Sequence, residues 1–413
     1  MYYRDKFISF LRYLLYILPL AILTGPFFGD LAISVMGLIF LVICVRESLS
    51  KYFFNKYSYF FVLFILYLLF SSLISDFTLI SLEASLFYFR FLLFSLCIWF
   101  LLDEDEDLIN KFSYIFIATL FFAILNGFMQ YLVGFNFFGI ISPNENRLTL
   151  LLSEKLYLGG FIVRLLPLCF GLLILFSRAN NRNYTSLFLF LFLFIASDLL
   201  VYITGERTAF LLLILLTILF ILLISSFRYF RIICLVFSII AIALITNFSN
   251  EIKERNINHT LRQLAITSDT YSPTHVPIFI ASWKIFYDNI LFGTGPKTYR
   301  EVCQKEKYNS NSKTCSTHSH NSYLQILSET GIVGFLFLLF AFLYTSYKLF
   351  GHGINVYLYN KKTLSDFQIC ILICFFITLW PLQPTMSFFN NWINLVYYFP
   401  LGFYLHSIYN NKN

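Results

Sequence analysis

The chain is built from apolar runs of 17 residues and more, each long enough to cross a hydrocarbon core of about 30 Å as a helix. Stretches such as SLFLFLFLFIASDLLVYI (186–203) are apolar on every face. They lack the period-two alternation of a membrane β-strand, and a helix satisfies its own backbone hydrogen bonds in lipid. Composition agrees: 59% of residues are hydrophobic, 12% are charged and mean hydropathy is +0.74, whereas soluble domains carry about 25% charge. A soluble enzyme, a disordered chain and a nucleic-acid binder are excluded. The fold class is therefore all-α: a polytopic membrane protein with about 12 transmembrane helices and one large outer loop. The 53 Phe and 28 Tyr residues read as lipid-facing filler with some interfacial rings.

The expected spans lie near 8–25, 29–45, 58–74, 80–102, 113–133, 156–177, 185–203, 208–226, 232–248, 322–347, 366–382 and 393–408. Residues 1–133 then hold spans one to five, and 134–248 hold spans six to nine with short outer loops. The large outer loop is 249–321, and 322–413 carry the last three spans. Arg4, Lys6, Arg12, Arg46, Lys51, Lys56, Arg178, Arg182, Arg228, Arg231, Lys348, Lys361 and Lys362 all fall on one side. The short loops near 25–29, 75–79 and 383–392 hold no Lys or Arg, so the positive-inside rule puts both termini in the cytoplasm. The acidic run DEDED (103–107) on that same side reads as a solvated turn. The first apolar stretch is too long for a cleaved signal and reads as a retained anchor. The net charge of +7 informs orientation more than partners.

Six of eight cysteines lie in or beside spans, while Cys303 and Cys315 bracket a polar stretch of the outer loop. In an oxidising compartment that pair suggests a disulfide; the alternative is two unpaired thiols.

The sharpest chemical signal is THSHNSYLQILSETGIVG (317–334), with His318, His320 and Asn321 at the outer end of a late span. Continued as a helix at about 100° per residue, the segment brings Gly331 and Gly334 beneath His320. That is a groove suited to another helix or a lipid chain. A helix N-terminus disfavours imidazolium, so His320 there stays neutral and can accept a proton; otherwise it caps or packs the helix. In ITGERTAF (203–210), Arg207 stands where two long apolar helices meet. Its planar fork matches a pair of phosphate oxygens. Glu206 beside it is a separate candidate, a partner for His320 among its options. Arg147, Glu154 and Arg164 form a third group, divided evenly between substrate binding and structure. FGTGPKTYR (292–300) places Lys297 and Arg300 after a Gly-x-Gly turn whose amides suit phosphate. The sequence carries no zinc-site spacing, P-loop, nucleophile elbow or outer Asp-x-Asp pair, so neither a metal nor another cofactor is expected. An outer surface also lacks ATP, so bond formation there needs a donor that is already activated.

The His-Asn, nine residues, Gly-x-x-Gly pattern resembles the O-antigen ligase family of lipopolysaccharide assembly, as do GERTAF and DNILFGTGPKTY. The resemblance is firmest over about 190–345, with support at 147–167 and at PTMSFFNNW (384–392). It implies an inverting, metal-independent membrane glycosyltransferase of the bacterial inner membrane, with the large loop periplasmic. Such an enzyme moves a glycan from undecaprenyl diphosphate to a sugar hydroxyl of lipid A–core. By position, His320 would deprotonate or orient the acceptor hydroxyl and Arg207 would bind the diphosphate. Many members have Arg, three residues, then an aromatic upstream of the Gly-x-Gly turn, where this chain has His275 and Phe279. Ile290 replaces the usual proline. Arg300, Arg147 or a charged His275 are the expected substitutes for the missing arginine. An O-antigen polymerase joining two lipid-linked glycans is the alternative within this chemistry. A transporter fits less well, because buried charge looks sparse (Glu83, Arg90, Arg164).

Overall fold

The computed structural model describes residues 2–143, 147–152, 156–179, 184–258, 260–261, 275–309 and 314–410. Its helices in chain order are α1 (Tyr2–Thr24), α2 (Pro26–Glu47), α3 (Lys56–Leu73), α4 (Thr78–Ser85), α5 (Phe89–Glu104) and α6 (Leu108–Val133). Then come α7 (Leu158–Ala179), α8 (Tyr184–Ile203), α9 (Arg207–Leu223) and α10 (Arg228–Phe248). After them follow α11 (Val276–Asp288), α12 (Ser322–Tyr359), α13 (Asp366–Thr378) and α14 (Asn391–Tyr409). Among the described residues the only extended pairing is one isolated bridge, Phe135 to Ile141.

Nine helices are long and apolar enough to cross a membrane among the described residues, with 78–104 counted as one. The expectation was about 12. Two of the remaining expected spans are the shorter apolar helices Arg207–Leu223 and Asp366–Thr378, and the last is α14. At about 1.5 Å per residue, 13 residues of α13 reach only about 20 Å, which suffices for a helix lodged among others but not for one spanning alone.

Burial separates the middle of the bundle from its lipid-ready rim. In the apolar stretch of α7, 94% of residues are buried, against 22% in that of α10. The sequence of α7 explains its place: Gly171 lets α13 approach so closely that a Cβ there would stand 2.9 Å from Phe367 and 3.0 Å from Cys370. By contrast, α10 exposes Ile232, Ile233, Val236, Phe237, Ile239, Ile240 and Leu244. A surface so apolar is stable only against hydrocarbon or another protein.

At one end of the bundle the acidic run is more than a solvated turn. Arg4 pairs with Glu47 and Glu104 at 2.7 and 2.8 Å, Lys51 with Asp103 at 2.9 Å and Arg12 with Asp105 at 3.6 Å. These contacts tie the ends of α1, α2 and α5 together.

Buried charge is also less sparse than expected, and differently placed. The Glu83 side chain is largely exposed, and Arg90 pairs with Asp30 at 2.9 Å. The enclosed pair is Asp198 on α8 with Arg231 on α10, bidentate at 2.7 and 2.8 Å. Thr217 and Ser238 complete the group. Hydropathy hides Asp198, because one charge in a long apolar run scarcely moves a window average, while Arg231, expected among the flanking cytoplasmic cations, lies buried inside α10. Removing one partner strands the other in a low-dielectric interior, so Asp198→Ala is expected to destabilise the protein by about 3–5 kcal/mol. The paired change Asp198→Leu with Arg231→Met should recover most of that. Thermal unfolding in detergent reads both, and a single variant as stable as wild type would contradict the assignment.

The helix carrying the histidine motif is not continuous. Gly331 has φ 64° and ψ −169°, a break inside α12. Into that break fits the 290–293 segment: Ile332 N–H donates to the Ile290 carbonyl at 2.8 Å, and a Cβ on Gly331 would lie 2.3 Å from Leu291 O. Gly334 is filled by Thr330 and flanked by the Tyr67 ring. The groove expected beneath His320 is therefore occupied by the chain itself. Glu329 completes the seam by accepting from the amides of Lys297 and Tyr299, both at 2.9 Å. The loop before α12 has a small core of its own, Ile278, Ile285, Tyr299, Val302, Cys303 and Tyr308. A Cys303–Cys315 disulfide closes it, with Cα atoms 5.4 Å apart.

Candidate active site

Three histidines meet at the N-terminal approach to α12. Ring centroids of His318 and His320 are 4.2 Å apart, and those of His275 and His320 are 5.2 Å apart. Asn321 is the N-cap, accepting from Tyr323 and Leu324 amides, so His320 precedes the helix rather than lying on its face. Its φ of 52° is left-handed, a conformation that non-glycine residues hold only when their surroundings impose it. Thr385 holds this stretch from the other side. Its amide donates to the His320 carbonyl at 2.8 Å, and its carbonyl meets His318 Nε2 at 3.1 Å. Because a carbonyl only accepts, His318 carries its proton on Nε2, leaving Nδ1 to accept from the Thr317 hydroxyl at 2.9 Å. His320 Nε2 faces the Ser316 hydroxyl at 3.0 Å.

Burial, followed by His318 and His275, lowers the His320 pKa to about 4. Burial and the neighbouring imidazoles, rather than a helix end, thus favour the neutral ring expected from the sequence. Burial also lowers the pKa of His275 and of His318, with Arg207 adding to the effect on His275 and Arg300 to that on His318.

Arg207 opens α9 and donates from Nη1 to Thr260 Oγ1 at 3.3 Å. Glu206 does not reach His320. Its two oxygens accept from the Gly159 and Gly160 amides at 2.8 and 3.0 Å, capping α7, and burial pushes its pKa up to about 7. Arg147 donates to the Leu156 carbonyl at 3.0 Å, while its Nε is buried without a hydrogen-bond partner among the described residues. Electrostatic coupling links Arg147 and Arg207 to each other and both to Arg255.

The other expected residues divide. Arg164 is 2% exposed, bonded to Gln383 Oε1 and the Gly160 carbonyl, both at 2.9 Å. Asn321 donates to the carbonyls of Pro381 and Gln383 at 2.8 and 3.2 Å. Both residues therefore brace the 381–385 segment that clamps the histidines. Lys297 turns its amine to Glu83 at 3.2 Å, and Arg300 is exposed on the His318 side. Glu154 lies outside the described residues. Sequence reasoning missed Ser316, Thr385 and Arg255: none stands out by type, although Thr385 falls within PTMSFFNNW.

The arrangement supplies a neutral imidazole at His320 in contact with His275, which senses the charge of Arg207; a base and a cation so linked suit deprotonating a hydroxyl while an anion departs. Among the described residues no three His, Cys, Asp or Glu side chains are grouped to hold a metal ion. Residues 188–339 match the family model described as O-antigen ligase, which contains Glu206, Arg207, His275, His318 and His320. No curated protein matches the chain.

Proposed function

Because the chain carries a domain of the O-antigen ligase family over residues 188–339, we propose that it is an inverting glycosyltransferase. It would transfer a glycan from undecaprenyl diphosphate to a sugar hydroxyl of lipid A–core at the periplasmic face of the inner membrane. In this reading 12 segments cross the bilayer, both termini are cytoplasmic, and 249–321 is the periplasmic loop. The observation that carries it is the contact of neutral His320 with His275, which in turn senses the charge of Arg207.

The Ser316 hydroxyl marks where an acceptor hydroxyl would stand, at 3.0 Å from His320 Nε2 and within proton-transfer reach. The acceptor oxygen forms its bond to the anomeric carbon as the carbon–oxygen bond to diphosphate breaks on the opposite face. The acceptor proton passes to His320, and Arg207 stabilises the charge growing on the departing diphosphate. Arg164 and Asn321 act through the 381–385 clamp.

Purified protein in nanodiscs, given an undecaprenyl-diphosphate glycan and lipid A–core, should form glycosylated core with a chelator present. No transfer under any condition would refute the reading, and transfer abolished by chelation would refute its metal-free step. Product formed only when a second lipid-linked glycan is the acceptor would make the protein a polymerase.

A further inference from the structure

We propose that Arg255 is the second guanidinium gripping the donor's diphosphate, in the role for which His275, Arg147 and Arg300 were the candidates. The proposal rests on the functional reading above. Residues Asn250–Lys253 form a helical turn that runs into a single π-turn, Glu254–Asn258, a distortion common at functional sites. This segment, with Thr260 just beyond it, clasps the α8–α9 turn through three hydrogen bonds. Arg255 Nε donates to the Gly205 carbonyl at 3.1 Å, Asn256 Nδ2 to the Tyr202 carbonyl at 3.0 Å, and Arg207 Nη1 returns to Thr260 at 3.3 Å. The Arg255 side chain lies directly against Gly205: a Cβ there would stand 2.1 Å from Nε, and φ is +65°. Glycine at 205 therefore admits Arg255 to a position two residues along the chain from Arg207.

Arg255 spends Nε on that carbonyl and keeps its two Nη groups, a geometry suited to phosphate oxygens. Its neighbours make the place cationic. Burial and the charges of Arg147 and Arg207 lower its pKa, and only Glu206 opposes them. Both Glu206 oxygens are already engaged by α7 amides. Gathering guanidiniums around one committed carboxylate is unfavourable until an anion joins them. The other candidates are accounted for differently. His275 packs against the His320 ring, where burial and Arg207 disfavour its charged form, Arg300 is exposed on the His318 side, and Arg147 ties down the Leu156 carbonyl.

The test measures binding of undecaprenyl diphosphate and of undecaprenyl monophosphate to the full chain in nanodiscs. Arg255→Gln should weaken diphosphate binding about ten- to hundredfold, as loss of hydrogen bonds to a charged group predicts. Monophosphate binding should change little, and Arg255→Lys should restore part of the diphosphate preference. In the transfer assay the same loss should appear as a raised donor KM. Equal weakening for both lipids would reduce Arg255 to a structural clasp, and unchanged diphosphate binding would remove it from the site. If wild type transfers glycan while Arg255→Gln is unaffected, only this assignment fails. If wild type neither binds diphosphate lipid nor transfers, the functional reading falls with it.

Discussion

His320→Gln is expected to lower kcat for glycan transfer by about 10²- to 10⁴-fold, the contribution usual for a positioned general base. Glutamine preserves much of the size and a hydrogen bond to Ser316 but cannot take up the acceptor proton. Donor binding should persist, because the guanidiniums are untouched. The pH profile gives an independent check. Only the neutral ring is a base, so activity is present above the pKa and lost as pH falls through it. The free protein holds that pKa at about 4, so kcat/KM should stay level through mildly acidic pH and fall near 4. A bound diphosphate brings negative charge towards the histidines and favours imidazolium. The acid limb of kcat, which reports the complex, should therefore lie at higher pH, where His320 is also a stronger base. An unaltered kcat in His320→Gln, or a kcat/KM limb already at the pKa of an exposed histidine, would remove His320 from this role.

What the sequence made legible was whatever depends on local pattern. Apolar runs announce membrane helices because lipid demands them, and both His320 and Arg207 could be singled out as polar residues bordering such runs. Their joint location needed tertiary contacts: His275, 45 residues before His320 in the chain, touches the His320 ring and senses the charge of Arg207. The Gly331 break was invisible for a related reason. A periodicity of 3.6 assumes a continuous helix, while glycine permits the left-handed turn that lets 290–293 enter. Asp198 escaped because it is a single charge in an apolar run, and Arg231 was expected as a flanking cytoplasmic cation; only their pairing shows why both are stable inside the bundle. Arg255 lies in a polar stretch, NEIKERNIN, where a basic residue is ordinary until its contact with Gly205 is seen.

Arg207→Gln should reduce kcat and kcat/KM together by about 10²- to 10³-fold, the scale for removing one donor from a developing anion. Equal falls identify an interaction made mainly in the transition state, whereas a rise in KM alone identifies uniform binding. Arg207 is expected in the first class because the additional negative charge on the leaving phosphate oxygen develops only as the glycosidic carbon–oxygen bond breaks. Arg255 is expected nearer the second, since it meets an anion already present in the bound donor. Lysine at 207 keeps the charge but not the planar fork, so Arg207→Lys should recover only a minor part of the rate. Thr260 supports that geometry from the clasping segment. If base and anion site serve one concerted displacement, His320→Gln combined with Arg207→Gln should be much less harmful than the product of the single effects. Strictly multiplicative losses would mean that the two residues serve separate steps, and the single-displacement mechanism would have to be given up.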